Sequence, residues 1–168
     1  MNQTLFKQAL NKFNEKKFEE SKLLFEKILI SEPKNFRAMQ ALGVIHGIFK
    51  DHSSALSLFR KAISLNKDFE PVKFNLATSL FETGEYEEAS MIFKELLQKN
   101  NNDPNILLNY ANCLLNLGQT DEAIKHYQSS LKINPNLFLS LLNLGIVFKN
   151  KKNIEEAFKY FTRADKIN

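Results

Sequence analysis

The fold is decided by the stretch Pro104–Leu137, PNILLNYANCLLNLGQTDEAIKHYQSSLKINPNL, in a chain of 168 residues. Asp103 precedes it as a candidate N-cap, and Pro104 takes the first helical position, where a missing N–H costs nothing. Gly118 supplies a turn, and Thr120 is predicted to cap a second helix. Apolar residues recur at helical spacing on both sides of that turn: Leu107, Tyr110, Ala111 and Leu114, then Ala123, Ile124, Tyr127 and Leu131. The stretch therefore predicts two amphipathic helices that need neighbours to bury their remaining apolar surface.

The same pattern recurs every 34 residues without insertion. Small residues mark the eighth position of each copy: Ala9, Gly43, Ala77, Ala111 and Gly145. A second small position follows: Ser21, Ala55, Ala89, Ala123 and Ala157. An aromatic residue comes next: Phe25, Phe59, Phe93, Tyr127 and Phe161. We expect one array over 1–168 with repeats 1 to 5 at approximately 2–35, 36–69, 70–103, 104–137 and 138–168.

The 34-residue period and the order of its anchors resemble the tetratricopeptide repeat family over essentially the whole chain. The resemblance implies an all-α fold, a right-handed α-solenoid of five helix-turn-helix repeats and ten antiparallel helices. In such arrays the first helix of every repeat lines a concave groove. Some positions depart from the family pattern: Lys12 and His46 replace a large apolar residue, and Lys67 and Asn101 replace the closing Pro.

Composition indicates a soluble globular chain, with 43% hydrophobic and 25% charged residues. The net charge of +4 is spread over interleaved Lys and Glu, as at Lys16–Glu20, which favours a solvated surface and no nucleic-acid partner. No apolar run reaches the length of a membrane span, so we expect no membrane insertion. A single Cys excludes an internal disulfide and favours a cytoplasmic location.

The sequence shows no arrangement of residues that is typical of a catalytic site. His46, His52 and His126 lack the spacing of metal ligands, and no GxSxG motif occurs. We therefore expect no enzyme, no catalytic residue, no metal and no cofactor. We predict that Cys113 is an inert buried thiol, that His46 is structural or lines the groove, and that His126 lies on the surface.

A row of asparagines falls where the family binds its ligands. Asn75, Asn109 and Asn143 occupy the sixth position of repeats 3 to 5, and Asn112 and Asn116 add further amides. Because an Asn amide both donates and accepts, such a row can pair with the main chain of an extended peptide. The apolar groove candidates are Phe74, Leu108, Leu142, Val44 and Ile146, with Leu115 beside them. The row is similar to the asparagine ladder in the repeat arm of O-linked N-acetylglucosamine transferase.

The leading hypothesis is a protein-interaction scaffold that binds a peptide or partner segment in the concave groove. The chain lacks the cations with which chaperone-binding members hold a terminal carboxylate, so that mode is not expected. The resemblance and the abrupt end at Asn168 favour an alternative, the substrate-targeting arm of a larger enzyme such as a glycosyltransferase. A third possibility is a structural array that self-associates through Phe158 and Phe161.

Five local features complete the expectations. Gly43 is predicted to allow a close helix contact, whereas Gly47 has no evident purpose in a helix, where each Gly costs roughly 1 kcal/mol relative to Ala. Asp51 is a candidate N-cap, Thr83–Glu85 a turn, and Lys99–Asp103 the most mobile joint in the chain.

Overall fold

The computed structural model describes residues 2–67 and 69–167. Over those residues the chain forms ten α-helices and no strand, which confirms the all-α prediction. The helices are Asn2–Asn14 (α1), Phe18–Ser31 (α2), Phe36–Ile48 (α3), His52–Leu65 (α4), Glu70–Glu82 (α5), Tyr86–Lys99 (α6), Pro104–Asn116 (α7), Thr120–Ile133 (α8), Phe138–Asn150 (α9) and Ile154–Asp165 (α10). The odd-numbered helices, which we call first helices, begin 34 residues apart.

Two compact halves make up the chain. The N-terminal half, Met1–Gly84, holds α1 to α5, and the C-terminal half, Glu85–Asn168, holds α6 to α10. Within each half, every helix packs against the helix that follows it in the sequence. A first helix and the second helix that follows it form the tightest pairs, as expected for helical hairpins joined by short turns.

The aromatic anchors are the centres of the hairpins. Phe25, Phe59, Phe93 and Tyr127 are all exposed by 1% or less. A Cβ added to Gly43 would lie 2.5 Å from Cε1 of Phe59, and one added to Gly145 would lie equally close to Phe161. The close contact predicted at Gly43 is therefore confirmed: only a residue without a side chain lets the ring approach the helix so closely.

The turn inside each hairpin contains one residue with positive φ. Gly84 and Gly118 take φ angles of 85° and 76°, which confirms the turns predicted there. Lys16, Lys50 and Lys152 occupy the equivalent positions with φ near 60°. These three lysines were not foreseen, because a residue with a Cβ pays about 1–2 kcal/mol for this conformation.

The helix caps agree with the predictions from the sequence at two positions and differ from the prediction at a third. The Asp103 carboxylate accepts from the main-chain N–H of Asn105 at 2.8 Å, and Asp51 accepts from that of Ser54 at 3.1 Å. The prediction that Thr120 caps α8 is wrong. Gln119 takes the N-cap position, because its main-chain carbonyl accepts a hydrogen bond from an α8 amide. Thr120 is therefore the first helical residue.

Candidate functional site

Three side chains in the C-terminal half form a hydrogen-bonded cluster that we call the amide network. Asn112 lies on α7, Tyr127 on α8 and Asn143 on α9. The Tyr127 hydroxyl donates to Asn112 Oδ1 at 2.6 Å, and Asn143 Nδ2 donates to the same oxygen at 2.8 Å. Asn143 Nδ2 also lies 3.5 Å from the Tyr127 hydroxyl. Two of the predicted site residues, Asn112 and Asn143, are therefore brought together.

Packing determines where the Tyr127 hydroxyl can point. The residue is fully buried, since its ring fills the space between α7 and α8 in the core of this half. Burial raises the pKa of Tyr127 to about 12. The phenol therefore stays neutral near pH 7 and keeps its proton for donation to Asn112.

The other asparagines of the row make different contacts. Asn116 Nδ2 donates to the main-chain carbonyl of Asn112 at 2.9 Å, so this exposed amide folds back on its own helix. Asn109, on α7, and Asn75, on α5, are half-buried. Neither makes a side-chain hydrogen bond to any residue in the described ranges, 2–67 and 69–167. Their amide groups remain available for an incoming ligand.

The apolar candidates differ in how much surface they offer. Leu108 is only 4% exposed and packs in the core of the C-terminal half, so it offers a ligand almost no surface. Leu115 and Leu142 are half-buried beside the amide network. Ile146 is 42% exposed on α9 and offers the largest apolar contact of this group.

The N-terminal half carries a cavity of about 470 Å³. It is bounded by α3, the turn that follows it, α4 and α5, and we call it the glycine cavity. Its lining residues are Gly43, Val44, Gly47, Ile48, Lys50, His52, Phe59, Asn75, Thr78, Ser79 and Glu82. Two predicted site residues, Val44 and Asn75, thus lie on one cavity, whereas Phe74 is half-buried on α5 and is not part of its lining.

Gly47 explains why the cavity is open. A Cβ added there would meet no atom within 4 Å, so helix packing does not require a glycine at this position. The missing side chain instead leaves room beside Val44 and Phe59. Nearby, the Thr78 hydroxyl donates to the Phe74 carbonyl at 3.0 Å and is already satisfied. The other polar residues in the lining are Lys50, His52, Asn75, Ser79 and Glu82, and the Asn75 amide is the one among the predicted site residues.

The histidines and the cysteine have structural surroundings. His46 Nδ1 lies 2.9 Å from an oxygen of Asp51, which joins α3 to the cap of α4. Hydrogen bonds from Ser54, and then from His46, hold the pKa of Asp51 below its usual value. His126 was predicted to lie on the surface but is half-buried, because its ring packs edge-on against Tyr110 at 4.8 Å. Burial lowers the pKa of His126 accordingly.

Cys113 is buried as predicted, with no exposed surface, and burial raises its pKa to about 12. Among the described residues, no group of three or more His, Cys, Asp or Glu side chains could hold a metal ion. None of the helices in that part of the chain combines the length and the apolar character needed to cross a membrane.

Repeated helical hairpins with amides and an open cavity on their first helices define a helical-repeat protein. Sequence profiles described as tetratricopeptide repeat match residues 49–95, 80–144 and 139–168. These matches cover more than half of the chain, which therefore belongs to the tetratricopeptide repeat family.

Solved structures share the fold over nearly the whole chain. A structure of MamA residues 41 to the end, from Desulfovibrio magneticus RS-1, has a TM-score of 0.89 at 14% identity and covers 99% of this chain and 94% of its own. A further crystal structure of MamA gives a TM-score of 0.81 at 19% identity, with coverage of 95% and 93%.

The structure of YrrB, described as a tetratricopeptide repeat protein with an unusual peptide-binding site, has a TM-score of 0.78 at 20% identity, with coverage of 98% and 84%. At such low identities these likenesses show the fold alone. No curated protein matches the sequence.

Proposed function

We propose that this chain is a non-catalytic scaffold that binds an extended segment of a partner protein on its first helices. The observation that carries the proposal is the pairing of Asn112 and Asn143 beside the exposed side chain of Ile146. Amide groups next to apolar surface suit a peptide, whose main chain needs hydrogen bonds and whose side chains need apolar contact. Membership of the tetratricopeptide repeat family supports the same class of function.

Each half offers such a segment a different surface. In the C-terminal half, the outward atoms of the amide network pair with the main chain of the ligand. In the N-terminal half, the glycine cavity receives one apolar side chain, and the Asn75 amide bonds to the main chain next to it. The peptide-binding site described for YrrB, a protein of the same fold, supports a peptide as the ligand.

A random peptide library displayed on phage tests the proposal. The intact chain should enrich peptides that the triple variant Asn75→Ala, Asn109→Ala, Asn143→Ala does not bind. Loss of Asn143 also removes a hydrogen bond to Asn112, so we expect the triple variant to lose about 1 kcal/mol of stability and remain folded.

Three exposed asparagines outside the first helices provide a matched control. The variant Asn101→Ala, Asn102→Ala, Asn136→Ala removes as many amides from turns and should bind like the intact chain. Enrichment of the same peptides by both triple variants would overturn the proposal.

Two other hypotheses stay predictions. The same surface would serve equally well as the targeting arm of a larger enzyme. Self-association through α10 would depend on Phe158, which is 72% exposed, together with Ile154 at 66%. Phe161 contributes little to it, because its ring is packed against Gly145.

A further inference from the structure

Two members of the amide network are exceptions to the repeat pattern. At the aromatic anchor position four repeats carry Phe, and repeat 4 alone carries a tyrosine, Tyr127. At the ninth position repeat 4 alone carries an amide, Asn112. The two exceptions fall in the same repeat and contact each other at 2.6 Å. The two residues therefore form one structural unit.

We propose that Tyr127 is a positioning residue whose hydroxyl sets the direction of the Asn112 and Asn143 amides, so that they present one donor and one acceptor to a bound main chain. The proposal rests on the function proposed above and adds the chemistry and the direction of recognition.

The hydrogen bonds determine which atoms face outward. Asn112 Oδ1 accepts from both Tyr127 and Asn143, which fills its two lone pairs. The atoms left for a ligand are Asn112 Nδ2, a donor, and Asn143 Oδ1, an acceptor. Asn143 Nδ2 points inward in the same arrangement.

Without the tyrosine hydroxyl, a second arrangement of the two amides would be equally stable. If both amides turned over, Asn112 Nδ2 would donate to Asn143 Oδ1, and the bond between the two side chains would survive. The Tyr127 oxygen could then accept from Asn112 Nδ2, but the phenol proton would lose its 2.6 Å bond and find an acceptor only at the Asn143 amide, 3.5 Å away. One phenol proton thus selects one of two otherwise similar states.

The selected state matches one residue of an extended peptide. Within a strand, the N–H and C=O of a single residue point to the same side and can pair with one neighbour. Asn143 Oδ1 would accept that N–H, and Asn112 Nδ2 would donate to that C=O. Since the N–H precedes the C=O, the bound strand runs from repeat 5 towards repeat 4 in its N-to-C direction.

The first experiment needs no ligand. Tyr127→Phe restores the residue found in the other four repeats and removes only the hydroxyl. The side-chain NH₂ signals of Asn112 and Asn143, followed by NMR, should shift and exchange with water more rapidly in this variant. Tyr110→Phe, the same change at a tyrosine that contacts His126, is the matched control and should leave both signals unchanged. Unchanged signals in Tyr127→Phe would overturn the positioning role.

The second experiment uses the peptide most strongly enriched from the library by the intact chain. In Tyr127→Phe about half of the molecules would hold the amides in the binding direction, so we expect affinity to fall about twofold, with Tyr110→Phe unaffected. Equal affinity in both variants would contradict the proposal.

A nitroxide attached to the N-terminus of that peptide tests its direction. It should broaden backbone signals of repeat 5 more than those of repeat 4, and the opposite pattern would refute the assigned direction. If the intact chain enriches no peptide, the proposed function fails and the ligand assignment fails with it. The NMR comparison still decides whether Tyr127 orients the amides.

Discussion

The glycine cavity and the amide network occupy equivalent positions of the repeat in the two halves of the chain. At position 9, Val44 corresponds to Asn112; at position 12, Gly47 corresponds to Leu115; at the aromatic anchor, Phe59 corresponds to Tyr127. The sixth position of the following repeat is an asparagine in both halves, Asn75 and Asn143.

The residues that differ at these positions give the two halves different local chemistry. In the N-terminal half the missing side chain of Gly47 opens a cavity, and the Asn75 side chain makes no hydrogen bond to a described residue. In the C-terminal half a leucine, Leu115, stands at the position of Gly47, and Asn143 donates to Asn112. The repeat scaffold keeps its packing while three positions differ between an open cavity and a hydrogen-bonded network of side chains.

The largest effect on stability is expected from Gly43→Leu, in the N-terminal half. Its Cβ would lie 2.5 Å from the Phe59 ring, so the core must shift, and we expect a loss of about 2 kcal/mol in the free energy of unfolding. Chemical denaturation followed by circular dichroism measures this loss. Gly145→Leu is the matched change in the C-terminal half and should cost a similar amount, because Phe161 lies equally close.

An intermediate effect is expected from Gly47→Leu, which gives the N-terminal half the residue found at Leu115. The helix should gain about 0.5–1 kcal/mol, because a helical glycine is replaced and its Cβ meets no atom within 4 Å. The cavity should be filled, and binding of library peptides should weaken about tenfold by calorimetry. A variant that gains stability and binds as well as before would show that the glycine cavity takes no part in binding.

The repeat period could be read from the sequence with good precision, because helix packing repeats the same demands every 34 residues. The starts of the first helices and the caps at Asp51 and Asp103 follow from local rules that require no knowledge of neighbours. The amide network was harder to foresee. Asn112 and Asn143 were selected as ligand-binding residues, but their bond to each other depends on side-chain directions across three helices.

The sequence does carry a signal at Tyr127. It is the one tyrosine in a column of phenylalanines, and Asn112 is the one amide in its own column. The effect of Gly47 depends on what is absent from the neighbouring space, which no local sequence pattern records.

The smallest effect is expected in the turns, away from both surfaces under comparison. Lys16→Gly and Lys152→Gly each relieve a left-handed lysine, and we expect each to add about 0.5–1 kcal/mol to the free energy of unfolding. Thermal melts of the single variants measure the gain. Because one turn lies in each half, equal gains are expected, and a loss at either position would contradict the strain argument.

The burial of Cys113 has a practical consequence. The chain has one thiol, and in the folded protein that thiol is sealed in the core with a pKa of about 12. A cysteine introduced by Gly47→Cys or Ile146→Cys would thus be the reactive one, since thiolates and not thiols attack common labelling reagents. A dye placed at one of these positions would report on the glycine cavity or on the amide network, without first removing the native sulfur.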